Sequence, residues 1–313
     1  MKQNYELFIA KVSATLNLLW GITDSSVILR IAKEYVNYKQ SINKQLEFFL
    51  ENKALNVPET FIKALSTNNI FYSFCFGWFK IVPAMILAQG YPVAVLMSDS
   101  LKSRQADYFN VLSHKRLKQN GWNTDILFLS HRDPNLLFKM NSLIKSGYKI
   151  LFYVDGNKGN VDNSFKNMYE TTFKWTSNVL FHQGFAWINF LNKSDVLNGL
   201  VITSRGNDLV CKHWENQMDK SLHKHDYISS VMSVVINNLE TLIQTNNVQN
   251  WDALLSFYMW LNPDTISKNN TLPKTKENFT SFAMGENEYY LLNHKTFTVY
   301  QTDLQTYQQL KLI

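Results

Sequence analysis

The chain has 313 residues, 45% of them hydrophobic, 14% aromatic and 18% charged, a composition that folds around a sizeable core and is not that of a disordered chain. Its formal charge of +6 favours an anionic partner such as a phospholipid face or an acidic carrier protein, although a mildly basic solvated surface explains it equally well. No nucleic-acid module or long Lys/Arg block is present, and two cysteines without a CxxC pair argue against a secreted disulfide scaffold and a structural zinc site.

The N-terminal stretch lacks a clean apolar h-region and a small-residue cleavage site, so no signal peptide is predicted. The longest apolar runs, such as Phe71 to Phe79, fall well short of the roughly 20 residues that span a bilayer. The expected location is cytoplasmic, with peripheral contact to the inner membrane as the alternative.

The first 65 residues read as a helical flank. Val27, Ile28, Ile31, Ala32, Tyr35 and Val36 recur at three- and four-residue spacing, and Leu46, Phe49 and Leu50 continue a similar face. Such helices either pack on the core or rest on a membrane surface. Asn56-Val57-Pro58 marks the break.

From Asn69 onward, strands alternate with helices. Buried strands are predicted over 70–75, 92–97, 124–129 and 149–154. Helices are predicted from Trp78 to Gln89, from Leu101 to Gln119, and from Asp133 to Ser146, the last opened by an Asp N-cap with Pro behind it. Apolar strands separated by helices of this length predict an α/β fold: a mainly parallel central sheet flanked by helices. The aromatic content suits either a dense core or a greasy tunnel. The chain then reads as a polar loop to about Asn178, a strand or turn running into a helix over 179–190, a strand at Gly199 to Thr203 and a long amphipathic helix from Tyr227 to Gln244. A linker is expected over 263–278, separating a main domain (1–262) from a small β-rich extension (279–313) whose hairpin turns at Asn293-His294.

The order of these segments over about residues 66–262 resembles the late acyltransferases of lipid A biosynthesis, within the lysophospholipid acyltransferase superfamily. That family opens with a strand ending in His-Phe-Gly-Asn-Trp-Glu, an HxxxxE motif. Here the segment is Cys75-Phe76-Gly77-Trp78-Phe79-Lys80. The Phe-Gly step is retained, but Cys75 replaces the histidine and Lys80 the acid. The family's Arg followed by Gly is matched by Arg116 and Gly121. Its helix, Gly and strand ending in an Asp turn are matched by Leu143 to Gly156, which puts Lys158 where distant relatives keep an Arg. Phe181 to Ala186 echoes a Phe-x-Gly-x-Ala helix, and Trp251 and Trp260 a late Trp-containing helix with no matching arginine. The resemblance implies a glycerophosphate-acyltransferase-like sheet and acyl transfer from a thioester. The histidine–acid base of the family is absent, since no histidine here has Asp or Glu five positions later.

The replaced motif directs attention to Cys75. A thiolate ahead of a helix N-terminus is stabilised by the helix dipole and becomes nucleophilic, whereas a free cysteine equally serves as a small buried hydrophobe. Lys80 would favour the thiolate if close. Asp155 could orient a base, hold a phosphate-bearing ligand through water, cap a helix, or simply form an Asx turn. Cys75, His131 and Asp155 all follow strands, and clefts in open α/β sheets form at the carboxyl ends of strands, so these three are the candidate catalytic residues. Gly77, Lys80, Arg116 and Lys158 are the candidate substrate-binding residues, the two latter competing with a role in surface solubility. Cys211 reads as a core strand residue. His223-Lys224-His225-Asp226 is better explained as a turn before a helix than as a metal set, and no metal or cofactor is expected. The function expected is acyl transfer from acyl-coenzyme A or an acyl carrier protein to an amine or hydroxyl, through a Cys75 acyl-enzyme, in lipid or natural-product biosynthesis. The alternative is a non-catalytic relative that binds an acyl chain or a carrier protein.

Overall fold

The computed structural model describes residues 2–52, 57–97, 126–130, 132–155, 168–172, 178–205, 208–244, 248–255, 279–285, 288–293 and 299–311. The predicted helix from Leu101 to Gln119 and the expected linker lie outside these residues. Contacts divide the chain into two compact units, one of Met1–Tyr38, Met168–Phe181 and Glu240–Ile313, the other of Lys39–Asn167 and His182–Leu239.

The second unit is organised on a six-stranded sheet. Its strands are β1 (Ile70–Ser73), β2 (Val93–Met97), β3 (Leu127–Ser130), β4 (Lys149–Tyr153), β7 (Val196–Arg205) and β8 (Asp208–Gln217), in the order β3-β2-β4-β1-β7-β8. All neighbouring pairs are parallel except β7 with β8, which form an antiparallel hairpin. The fold is therefore α/β with a mainly parallel sheet, and all four strands predicted from the buried runs take part. Continuous apolar runs such as Val93 to Leu96 are what a strand covered on both faces requires.

Side chains alternate between the two faces. Phe71, Val93, Val95, Leu151, Leu200, Ile202 and Cys211 share a core with α3 (Glu59–Thr67) and α4 (Val82–Ala88), through Phe61, Ala64, Leu65, Met85 and Ile86. Tyr72 and Phe152 point the other way. Tyr72 meets Phe74 and Phe185 at ring separations of 5.7 and 5.2 Å, Phe152 meets Phe185 at 5.3 Å, and Phe74 meets Trp214 at 6.1 Å. Phe185 belongs to α6 (Gly184–Leu191), and Asn238 of α7 (Lys224–Leu242) donates to the Tyr72 hydroxyl at 2.7 Å. These rings fill a core layer on this face of the sheet.

Several boundaries differ from expectation: the strand expected at 199–203 runs Val196–Arg205, the helix expected from Tyr227 to Gln244 runs Lys224–Leu242, and two further differences have a clear cause. The predicted Trp78–Gln89 helix opens with a single 3₁₀ turn, Phe79–Ile81, and becomes α-helical only at Val82. Pro83, which lacks an N–H, is tolerated only in a first turn, so it sets that start. The helix predicted from Asp133 begins at Leu136 (α5, Leu136–Lys145). Asp133 instead accepts from the Asn135 amide at 2.9 Å and pairs with Lys139, closing an Asx turn ahead of the helix. The stretch read as a polar loop contains β5 (Met168–Thr172), which pairs with β6 (Asn178–His182) in a separate two-stranded sheet.

The first unit carries β9 (Phe279–Gly285), β10 (Glu288–Asn293) and β11 (Val299–Thr302) as an antiparallel sheet, followed by α8 (Leu304–Leu310). The C-terminal hairpin forms as expected, with its turn outside the described residues. Helix α1 (Lys2–Trp20) packs on this sheet through Ala10 and Ala14 against Phe282 and Leu292, and the Ser13 and Thr280 hydroxyls share a hydrogen bond at 3.0 Å. Glu6 joins the pieces: it accepts from the Ala283 amide and the Tyr307 hydroxyl and pairs with Lys311 at 2.9 Å. Burial works against the Glu6 carboxylate, but these donors outweigh it and hold the group below its ordinary range. Helix α2 (Ser25–Asn52) buries Ile28, Ile31, Ala32 and Tyr35 from its predicted stripe. No helix among the described residues is long and apolar enough to cross a membrane.

Gly199 is the tightest point of the aromatic layer, because a methyl group added there would overlap the Tyr72 ring. Gly199→Ala should lower stability by about 1–3 kcal/mol, the usual cost of overpacking. Denaturant unfolding reads this directly, and an unchanged midpoint would show that Tyr72 is not seated over Gly199.

Candidate active site at the carboxyl ends of the parallel strands

Because β1 and β4 are parallel neighbours, the chain leaves both at the same end of the sheet. The ladder extends one step beyond the strands, with the Val154 amide donating to the Ser73 carbonyl at 3.1 Å. One residue further on, Asp155 lies 1% exposed and its Oδ1 accepts from the Cys75 amide at 2.7 Å. Two of the three candidate catalytic residues are thus in direct contact. The third, His131, lies outside the described residues, although β3 ends at Ser130 immediately before it at the same end of the sheet. Arg116 and Lys158 also lie outside them.

Cys75 begins a turn pinned at several points. Gly77 adopts φ +58°, a left-handed conformation, and a side chain there would collide with the Ile202 carbonyl of β7. That carbonyl accepts from the Trp78 amide at 2.7 Å, so Gly77 allows the turn to lie directly on β7. Gly77 is thereby explained by backbone geometry. Lys80, in the 3₁₀ turn, is buried, at 9% exposed.

Tyr153 was not singled out from the sequence. Its hydroxyl donates to the Phe79 carbonyl at 2.7 Å, and its ring meets Phe79 edge-on at 5.8 Å. Burial pushes its phenol well above the ordinary value, and its neighbours Cys75 and Asp155 push it in the same direction. The signal available was its place at the end of the predicted strand, two residues before Asp155. Tyr153, the last residue of β4, and Asp155, in the turn that follows it, hold the segment from Cys75 to Phe79 at its two ends.

The expected helix-dipole assistance to the Cys75 thiol is not built here. A 3₁₀ turn begins four residues later and a seven-residue α-helix seven residues later, whereas dipole effects fade within a helix's first turn. Cys75 is partly buried, while Cys211 is fully buried in β8 with its thiol pushed up to about 12 by burial. Among the other histidines, His213 bridges Thr60 Oγ1 (3.3 Å) and Asn198 Oδ1 (3.2 Å) and packs on Phe61, and burial lowers its pKa. His182 and His223 are exposed, and His225 and Asp226 are exposed in the first turn of α7.

At the opposite end of the same strand pair, Lys149 is buried with its Nζ donating to Asn68 O and Asn69 Oδ1, both at 2.8 Å, and lying 4.7 Å from the Tyr91 ring centre. Burial lowers its pKa. One buried cation and one buried acid therefore fasten the two ends of the central strands.

No model of a known protein family matches the chain, and no curated protein matches it significantly. The likeness to the lipid A acyltransferases therefore rests on the ordered motifs alone.

Removing the Asp155 carboxylate should strip the Cys75 amide of its acceptor. Asp155→Ala is expected to cost about 1.5–3 kcal/mol, in the range of hydrogen bonds to charged groups, while Asp155→Asn keeps an acceptor oxygen and loses less. Equal stabilities for the wild type and the alanine variant in thermal unfolding would contradict the clamp.

Proposed function

We propose that the chain is an acyltransferase with a divergent, glycerophosphate-acyltransferase-like sheet, using acyl-coenzyme A or an acylated carrier protein as donor. The observation carrying this reading is the contact of Cys75 with Asp155 at the carboxyl ends of adjacent parallel strands, with Cys75 only partly buried and the backbone around it fixed. Open α/β sheets bind ligands at that end. In the reaction, the Cys75 sulfur attacks the thioester carbonyl and loses its proton to His131. The C–S bond to the carrier breaks, and the carrier leaves as a thiol by taking that proton back. An amine or hydroxyl acceptor then attacks the acyl-cysteine, and its proton returns to the sulfur as the second C–S bond breaks. Asp155 acts in this scheme as a positioning residue for Cys75, while Lys80 supplies positive charge from the same turn. Lys158 and Arg116 would contact phosphates of the donor.

A second reading has its own support. The Cys75 amide is occupied by Asp155 and is not free to stabilise an oxyanion, and a carboxylate on that amide opposes a second negative charge at the sulfur. Both features suit a relative that binds an acyl chain or a carrier protein without turnover.

Intact-mass measurement with a panel of acyl thioesters separates the two. The acyltransferase reading predicts one added acyl group, lost in Cys75→Ser, and acylation slowed about 10²–10⁴-fold in His131→Ala. Turnover retained by Cys75→Ala without acyl-protein would mean direct transfer. Carrier binding without turnover on any thioester would sink the enzyme reading and leave the binding relative.

A further inference from the structure

Helix α3 rests on the sheet through Phe61, Ala64 and Leu65, which share a core with Phe71, Leu200 and Cys211. Among the described residues, one side-chain hydrogen bond ties this helix to another element: the Thr60 hydroxyl, in its first turn, meets His213 Nδ1 of β8 at 3.3 Å. His213 stands two residues beyond Cys211, on the same face of the strand. Its ring lies edge-on to Phe61 at 5.5 Å, and its Nε2 reaches Asn198 Oδ1 of β7 at 3.2 Å. The imidazole is half-buried, Asn198 is fully buried and Thr60 is exposed.

The neutral ring fits this seat and the charged ring does not. With Asn198 Oδ1 accepting, Nε2 carries the proton, so Nδ1 of the neutral ring accepts from the Thr60 hydroxyl. A second proton, on Nδ1, would face that hydroxyl and turn it outward. It would also put a cation at the first turn of α3, the positive end of the helix dipole. Asn198 offers no further acceptor, since its Nδ2 is buried without a partner. The charged side chains on the surrounding elements are Glu59 and Lys63 of α3 and Lys212 and Glu215 of β8, all exposed. Lys212 turns to the other face, over the Trp214 ring, and β1 and the part of β7 opposite the imidazole carry no charge. Burial holds the imidazole below its ordinary range, and Glu215 offsets this only in part.

We propose that His213 is a pH-sensitive pin, holding the first turn of α3 on the β7–β8 hairpin while neutral and releasing it when protonated. A released imidazole takes up its proton near the ordinary value of about 6.5, and a seated one only at lower pH. The released form therefore binds more protons between these values. The seat holds at full strength above about 6.5, weakens as the pH falls below it, and reaches its full loss below the seated value. The pin involves no thioester, so it stands or falls apart from the acyl-transfer reading.

The test is hydrogen exchange of the full chain at about pH 7.5 and about pH 5, with an NMR titration of the His213 ring. The Phe61 and Ile62 amides, which donate to the Pro58 carbonyl at 3.0 and 3.2 Å, report the first turn of α3. Corrected for intrinsic exchange, their protection should fall about two- to fivefold at the lower pH, as one charge at a helix end implies, while Val95 and Leu151 on the central strands hold. His213 should titrate below about 6.5. His213→Gln, which keeps a neutral polar side chain, should abolish the acid-induced loss. Glu215→Gln, an exposed change that leaves the pin in place, should move both the titration and the loss to lower pH. A His213 that titrates at or above about 6.5 overturns the proposal. So does a low titration with unchanged protection of Phe61 and Ile62, or an equal acid-induced loss in folded His213→Gln. If that variant fails to fold, the wild-type titration and Glu215→Gln decide the matter.

Discussion

A carboxylate taken out of water must be met by donors, or its burial costs more than a small domain can spare. Asp155 is in that position, and among its donors is the backbone amide of Cys75. The requirement couples two residues eighty positions apart and fixes how the chain leaves β1 and β4. Once that exit is set, the turn through Gly77 can lie on β7 only because position 77 has no side chain, and Tyr153 secures its far end through the Phe79 carbonyl. The local geometry around Cys75 is thus a consequence of satisfying one buried charge.

The same logic recurs at the other end of the strands, where the Lys149 ammonium finds two oxygens and the Tyr91 ring. Between the two pins the strands are apolar on both faces, aliphatic side chains and Phe71 toward α3 and α4, aromatic rings toward α6 and α7. A sheet built this way offers its polar chemistry only at its ends. On the proposed acyltransferase reading, Phe76-Gly77 would keep the scaffold of that family's site while Cys75 and Lys80 stand in for its histidine and acid.

The strands were legible because burial on both faces writes continuous apolar runs, and Ile70, Val93 and Ile150 announce themselves. Alternation alone also placed Cys75 and Asp155 at one end of the sheet. What remained hidden depended on contacts that no local pattern encodes. β5 is polar and β-branched and reads as loop until its pairing with β6 is known. Asp133-Pro134 carries a helix-start signature, yet the Asp133 side chain closes a turn one step earlier. Tyr153 carries no local signal of its contact with the Phe79 carbonyl. The seat of α1 on a sheet formed some 270 residues later could not be inferred from either segment, because Ala10 and Ala14 are simply small residues until Phe282 and Leu292 are placed above them. His131, the candidate proton acceptor, rests on sequence alone.

The central claim is that the turn held by Asp155 presents the Cys75 sulfur as a reagent, not as core. Its most direct test is alkylation of the native protein by iodoacetamide, with the modified residue located by mass spectrometry. The account predicts a single adduct at Cys75, with Cys211 untouched until the chain is unfolded, since Cys211 is buried and its thiol is pushed up to about 12. A Cys75 that resists alkylation as firmly as Cys211 would contradict it and identify Cys75 as a packing residue.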